Sequence, residues 1–269
     1  MNDPSLHSTP AVEVLNLTAA YAQRPVLWDI DLKIPQGVLC GIIGPNGSGK
    51  STLLKCIMGL HRADAGMVRV FGSKIEDVRH RVSYVPQRET VDWNFPVTVM
   101  DVTLMGRYSS KNIFKRISPM DRKIALEALH QVNLVEYKDK HISQLSGGQQ
   151  QRVFLARALA QQADLYIMDE PFAGVDAITE DAILKLMNQM KKDGKTVIIV
   201  HHDLQTAYEF FDYFVLLNTR LVAAAHKQEA FNDHNLRETF GSKLTILSRL
   251  SEMIGKEELP PPPSSTQKY

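Results

Sequence analysis

Polarity alternates residue by residue in the first part of the chain. Ile30, Leu32 and Ile34 are interleaved with Asp29, Asp31 and Lys33, and Met67-Val68-Arg69-Val70 repeats the habit. A period of two turns one row of side chains to a core and the other to water, so these segments predict half-solvated antiparallel strands. A second kind of segment has almost no polar interruption: Val38 to Ile43, Leu165 to Met168 and Thr196 to Val200. Such short apolar runs predict parallel strands covered on both faces. Helical stretches follow them, which together predicts an α/β core with an antiparallel flap on one edge.

Between Val85 and Leu165 the pattern turns helical. Ser118-Pro119 supplies an N-cap and a first-turn proline, and Ile124, Ala128, Leu129 and Val132 then recur at helix spacing. A second helix is predicted to begin at Ser146 and to carry Val153, Ala156, Leu159 and Ala160 on one face. This stretch predicts a helical subdomain inserted in the core, about 88–160, too short for a long coiled coil. The domain as a whole is expected over 11–240. After Leu250 the sequence changes in kind: Pro260 to Pro263 cannot join a helix or a central strand, so an extended, mobile tail is expected over 251–269. No internal repeat is visible, which argues against two fused copies of the domain.

Composition narrows the class. The 269 residues are 44% hydrophobic, ordinary for a globular protein with a sizeable core, and 31 basic against 30 acidic residues leave no net field to collect nucleic acid or an anionic bilayer. No nucleic-acid partner is expected, and membrane association would have to come through a protein. The N-terminus lacks the basic start and apolar stretch of a signal peptide, and no run approaches the roughly eighteen apolar residues of a spanning helix, so a cytosolic location is expected. The two cysteines, Cys40 and Cys56, sit in apolar segments, as small buried hydrophobes do.

The candidate chemistry begins where the apolar run Val38 to Ile43 ends. Gly44-Pro45-Asn46-Gly47-Ser48-Gly49-Lys50-Ser51, followed by Thr52, fits G-x-x-x-x-G-K-[ST] between a strand and a helix. Glycines let backbone N–H groups approach phosphate oxygens, and the helix that starts near Lys50 turns its positive end to them. Lys50 would reach the β- and γ-phosphates, and the Ser51 hydroxyl would ligate Mg²⁺. Asp169-Glu170 close a second apolar strand, where neighbours point to opposite faces, so the two carboxylates are expected to do separate work. By the same rule only one of His201 and His202, which follow a third strand, can face a phosphate. Leu145-Ser146-Gly147-Gly148-Gln149 combines a hydroxyl, two glycines and a helix start, a second phosphate cradle far along the chain. Within one subunit that second cradle would be redundant.

In this order, the phosphate loop, Leu145 to Gln149 and Asp169-Glu170 make the chain resemble the nucleotide-binding subunit of an ATP-binding-cassette (ABC) transporter, from about Val12 to about Phe240. The resemblance implies a P-loop NTPase fold of ABC type, with an antiparallel β subdomain and an inserted helical subdomain. It implies an ATPase whose cofactors are ATP and Mg²⁺. Two cassettes would pair head to tail, Ser146, Gly147, Gly148 and Gln149 of each closing over the ATP of the other. Asp169 would hold Mg²⁺ through water and Glu170 would polarise the attacking water. Gln87 in YVPQ would touch Mg²⁺ and that water. His202, which immediately precedes Asp203, would be the switch histidine, leaving His201 to packing. Tyr21 would stack on adenine, and Asp176 matches the loop joining the paired sites, though Ala173-Gly174-Val175 departs from the commonest wording there.

The segment Arg88 to Tyr108, around Asp92-Trp93, Phe95-Pro96 and Met105-Gly106-Arg107-Tyr108, is similar to the manganese, zinc and iron branch of bacterial ABC importers. That implies transmembrane permease subunits as partners and a second copy of the ATPase. It also implies an extracytoplasmic metal-binding receptor and a peripheral place on the cytoplasmic face of the inner membrane. Trp93 is expected at the permease contact, where aromatic anchors are common. No transition-metal site in this chain is implied. Cargo could instead be an iron chelate or another small nutrient. A soluble ABC ATPase of DNA or ribosomes would be marked by tandem cassettes, coiled-coil insertions or basic patches, and a binding module without turnover would lack a carboxylate at 170.

Overall fold

The computed structural model describes residues 9–21, 24–93, 95–108, 116–172 and 174–241. The expected tail over 251–269 lies outside the described residues, as does Ala173. The chain opens with β1 (Val12–Tyr21), β2 (Arg24–Ile34), β3 (Leu39–Ile43), α1 (Lys50–Ile57) and β4 (Ala65–Val70). Next come α2 (Ile75–Val78), β5 (Val82–Val85), and three helices, α3 (Val99–Met105), α4 (Pro119–Gln131) and α5 (Gly147–Ala160). After them run β6 (Leu165–Asp169), α6 (Ala177–Lys192), β7 (Thr196–Val200) and α7 (Leu204–Phe210). The described part closes with β8 (Tyr213–Asn218), β9 (Arg220–His226), α8 (Lys227–Ala230) and α9 (Asp233–Phe240).

Two sheets result. The alternating strands pair antiparallel in the order β2-β1-β4, and the apolar strands form a six-stranded sheet in the order β5-β6-β7-β3-β8-β9. That sheet is parallel except for the β8–β9 hairpin at one edge, an antiparallel strand that the sequence pattern did not signal. Every residue of β3, β6 and β7 is buried. Alternate residues feed two cores. Leu39, Ile43, Tyr166, Met168, Val197 and Ile199 join the helical core with α3, α4 and α5, while Cys40, Ile42, Leu165, Ile167, Ile198 and Val200 join α1 and the antiparallel sheet. A strand buried on both faces has no place for a polar side chain, hence the unbroken apolar runs. Cys40 and Cys56 are buried and free, and burial raises the Cys56 thiol to about 11.

The helices begin where their caps predict. Ser118 accepts from the Asp121 amide while Asp121 accepts from the Ser118 amide, a reciprocal box, and Pro119 stands in the first turn of α4. Ser146 and Gln149 make the same box at α5, whose Val153, Ala156 and Ala160 are fully buried and whose Leu159 is half-buried against the same core. Among the described residues no helix is long and apolar enough to cross a membrane.

Candidate active site

Parallel pairing puts strand ends in line. Ile42 of β3 lies opposite Val200 of β7, Val200 lies opposite Asp169 of β6, and Met168 lies opposite Val85 of β5. The residues that follow these positions therefore emerge along one edge, the carboxyl edge at which open α/β sheets bind ligands. There they line a cavity of about 660 Å³ formed by Val26, Asn46 to Thr52, Gln87, Glu170 and His202.

The loop at its floor fits a polyphosphate. Gly49 has φ +99°, a left-handed conformation, and a Cβ there would stand 2.8 Å from the Val26 carbonyl oxygen. It is the N-cap of α1 and offers no side chain to the helix's free N–H groups; the first turn also carries no acidic residue. The starts of α3, α4, α5, α6, α7 and α9 are all capped by a side chain instead. An uncapped start with free N–H groups favours an anion. The buried Ser48 hydroxyl also has no partner. Lys50, almost fully buried, donates from Nζ to the carbonyls of Gly44 and Pro45, both at 2.9 Å. Burial lowers its pKa, against the raising effect of Glu170 and Asp169.

Opposite the loop stand the carboxylates. The Ser51 hydroxyl donates to Asp169 Oδ1 at 3.2 Å, and burial pushes the Asp169 carboxyl up despite that hydrogen bond. The Gln87 amide donates to Glu170 Oε2 at 3.3 Å. β6 ends at Asp169, and Glu170 lies beyond it with φ +51°, so strand alternation itself stops before Glu170; the two carboxylates nonetheless face different partners, Asp169 the Ser51 hydroxyl and Glu170 the Gln87 amide.

The histidines divide as expected, although both lie past the end of β7. His202 lines the cavity, whereas His201 is buried with its ring at 5.3 Å from Phe172 and 5.8 Å from Phe211. Burial, aided by the neighbouring His202, lowers its pKa to about 4. Tyr21, expected on adenine, is not in the cavity lining, and neither Asp176 nor the Ser146–Gln149 turn, both expected to act between paired copies, lies there. Tyr21 is half-exposed at the end of β1 and rests tilted on His61 at 4.6 Å. Asp176 caps α6 by accepting from the Thr179 amide. Ser146, Gly147, Gly148 and Gln149 start α5 and are absent from the lining. Among the described residues, a Cβ on Gly148 would meet nothing closer than the Gly174 carbonyl oxygen at 3.7 Å, an ordinary contact distance.

Trp93, expected at a permease contact, is half-buried and makes contacts within the chain. Its indole N–H donates to the Arg88 carbonyl at 2.9 Å and its ring packs edge-on against Phe154 of α5 at 5.1 Å, so it holds the helical layer together. Of the described aromatics in that segment, Phe95 is the most exposed, at 57%, with Tyr108 at 48%. Sequence reading also missed Val26 in the cavity wall, His61 under Tyr21 and the packing of Arg88. None of these belongs to a motif.

A glycine loop on a parallel sheet, a lysine over its carbonyls, a serine joined to a strand-end aspartate, and a glutamate, a glutamine and a histidine across the cavity define a P-loop nucleotide hydrolase. The ABC transporter family profile matches residues 27–173, and the chain belongs to that family. It is 53% identical over 236 residues to the manganese transport system ATP-binding protein of Bacillus subtilis, covering 88% of this chain and 94% of that one. It is 54% identical over 235 residues to the zinc transport system ATP-binding protein of Treponema pallidum, covering 87% and 88%. Among solved structures, a dimeric ATP-binding cassette in a post-hydrolysis state with ADP and phosphate superposes with a TM-score of 0.71 at 30% identity, covering 80% of this chain and 98% of that one.

Proposed function

We propose that this chain is the ATP-hydrolysing subunit that powers import of a divalent metal ion, manganese, zinc or iron, through a separate membrane permease. The observation that carries the reading is the convergence of Lys50, Ser51, Gln87, Glu170 and His202 on one cavity in a chain so similar to manganese and zinc transport ATP-binding proteins. Residues 11–240 form the ATPase domain, with the helical subdomain at about 88–160.

Gly44 to Thr52 cradle the ATP phosphates, Lys50 turns from its carbonyls to the β- and γ-phosphates, and Tyr21 stacks on adenine. Ser51, Asp169 and Gln87 hold the Mg²⁺ of Mg-ATP, which supplies charge neutralisation at the transferred phosphoryl group. Glu170, oriented by the Gln87 amide, accepts a hydrogen bond from the attacking water, and His202 donates to the γ-phosphate. Catalysis of this kind is mostly positioning and electrostatic stabilisation. Ser146 to Gln149 close over the ATP of a second copy, a reading supported by the absence of the turn from this chain's own cavity lining and the dimeric form of a similar cassette. The subunit sits peripherally on the cytoplasmic face of the inner membrane through the permease, and an extracytoplasmic receptor delivers the metal.

Glu170→Gln tests the reading. It should keep ATP binding and lower turnover at least ~100-fold, the scale of a lost general base. Cells carrying it should lose uptake of at least one of radiolabelled manganese, zinc and iron. Unchanged uptake of all three in cells without a backup transporter excludes metal cargo and favours an iron chelate or another nutrient.

A further inference from the structure

We propose that Arg88 is a positioning residue that ties the Ser146–Gln149 turn to the hydrolytic site, holding the turn in the geometry that closes on a second copy's nucleotide. The inference rests on the two-copy reading above.

Adjacent residues face opposite tasks here. Gln87 donates to Glu170 Oε2, while the guanidinium of Arg88 lies flat against the first turn of α5: a Cβ on Gly147 would stand 2.8 Å from its Cζ and 3.0 Å from both terminal nitrogens. Gly147 is thus a glycine because Arg88 occupies the space, whereas among the described residues Gly148 meets nothing closer than 3.7 Å. Arg88 Nη2 donates to Gln150 Oε1 at 3.2 Å, and the buried Gln150 passes the link on by donating from Nε2 to the Ile142 carbonyl at 3.1 Å. One guanidinium therefore holds both limbs of the turn, the approach through Ile142 and the helix start at Gly147. The backbone of the same residue is tied further along α5, because its carbonyl takes the Trp93 indole N–H and that indole packs on Phe154.

The arrangement is costly unless it serves something. A cation beside a helix N-terminus opposes the helix dipole, and Arg88 Nε is buried with no acceptor. Both costs fall when an anion reaches the turn, since the fixed positive charge and the free N–H groups of α5 then act together. Movement of Gln87 with Glu170 also moves Arg88, and with it the turn, because the two residues are consecutive and the guanidinium is packed on both limbs.

The test uses full-length chain in the Glu170→Gln background, with Arg88→Ala, Arg88→Lys, Gln150→Ala and the Arg88→Ala/Gln150→Ala pair. ATP affinity of the isolated subunit is read with a fluorescent nucleotide, ATP-driven dimerisation by light scattering, and folding by circular dichroism. Arg88→Ala should leave ATP affinity within about 2-fold and weaken dimerisation at least 10-fold. Arg88→Lys should recover part of that loss, and the double variant should be no worse than the poorer single one, since both remove one link. Equal losses of affinity and dimerisation, additive losses in the double variant, or wild-type dimerisation of folded Arg88→Ala overturn the proposal. Failure of the parent Glu170→Gln protein to dimerise at saturating Mg-ATP would instead overturn the two-copy reading itself.

Discussion

At the residue scale, Lys50 and Ser51 are held by close neighbours, Lys50 Nζ donating to the Gly44 and Pro45 carbonyls and the Ser51 hydroxyl to Asp169 Oδ1. Asn46 to Ser51 are legible from the phosphate-loop pattern, and Gln87, Glu170 and His202 from the family resemblance; all line one cavity. What spacing could not reveal is backbone conformation: the left-handed turn at Glu170 breaks a strand rule without leaving a mark in composition. His201 shows the other limit, a polar residue whose role is burial. Its Nε2 has no hydrogen-bond partner, and its pKa of about 4 lies below the ordinary value near 6.5. The unfolded chain therefore binds a proton between those values that the folded one refuses, and the stability present above pH 6.5 is lost as pH falls toward 4. Between pH 7 and pH 5 the wild type should lose roughly 2 kcal/mol from this group. His201→Phe keeps an aromatic ring among Phe172 and Phe211 and should flatten that part of the profile, as read by urea unfolding at the two pH values. An unchanged pH slope would show that the buried imidazole is not the source.

At the element scale, strands and helices followed from periodicity because each pattern has one physical outcome. Runs without polar residues became β3, β6 and β7, buried on both faces, and the capped helical patterns became α4 and α5. The antiparallel β9 escaped notice because Leu221 to Ala225 is only half-buried and rich in alanine, an apolar run without alternation and with few large side chains. Trp93 escaped for a different reason. Its neighbour Phe154 lies far along the chain on α5, and no local pattern reports such a contact. Removing the indole should therefore weaken the helical layer. Trp93→Ala should cost about 2 kcal/mol, below the ~3–5 kcal/mol of a fully buried aromatic because this ring is only partly covered. Chemical unfolding of the isolated subunit reads the loss. If stability is unchanged while permease copurification falls, Trp93 is a docking residue after all.

At the scale of the whole molecule, the two cores assign different work to the two faces of one sheet. The face with α1 and the antiparallel sheet carries the phosphate loop, and the face with α3, α4 and α5 carries the Ser146–Gln149 turn and the segment on which the permease contact is read. With Trp93 packed on Phe154, Phe95 is the most exposed described aromatic of that segment, and Met105 and Tyr108 are also exposed. On the proposed reading that this chain docks on a permease, the apolar side chains exposed on this segment make Phe95 the expected anchor. Truncating an interface anchor costs at least ~2 kcal/mol, or about 30-fold in affinity. Phe95→Ala should therefore weaken copurification with the permease by that order and lower metal uptake in cells, while ATP affinity and thermal stability of the isolated subunit stay at wild-type values. The contrast with Trp93→Ala, which should lose stability first, separates a docking residue from a packing one. Wild-type copurification and uptake with Phe95→Ala would move the anchor to Met105 or Tyr108, whose alanine variants pass through the same two measurements.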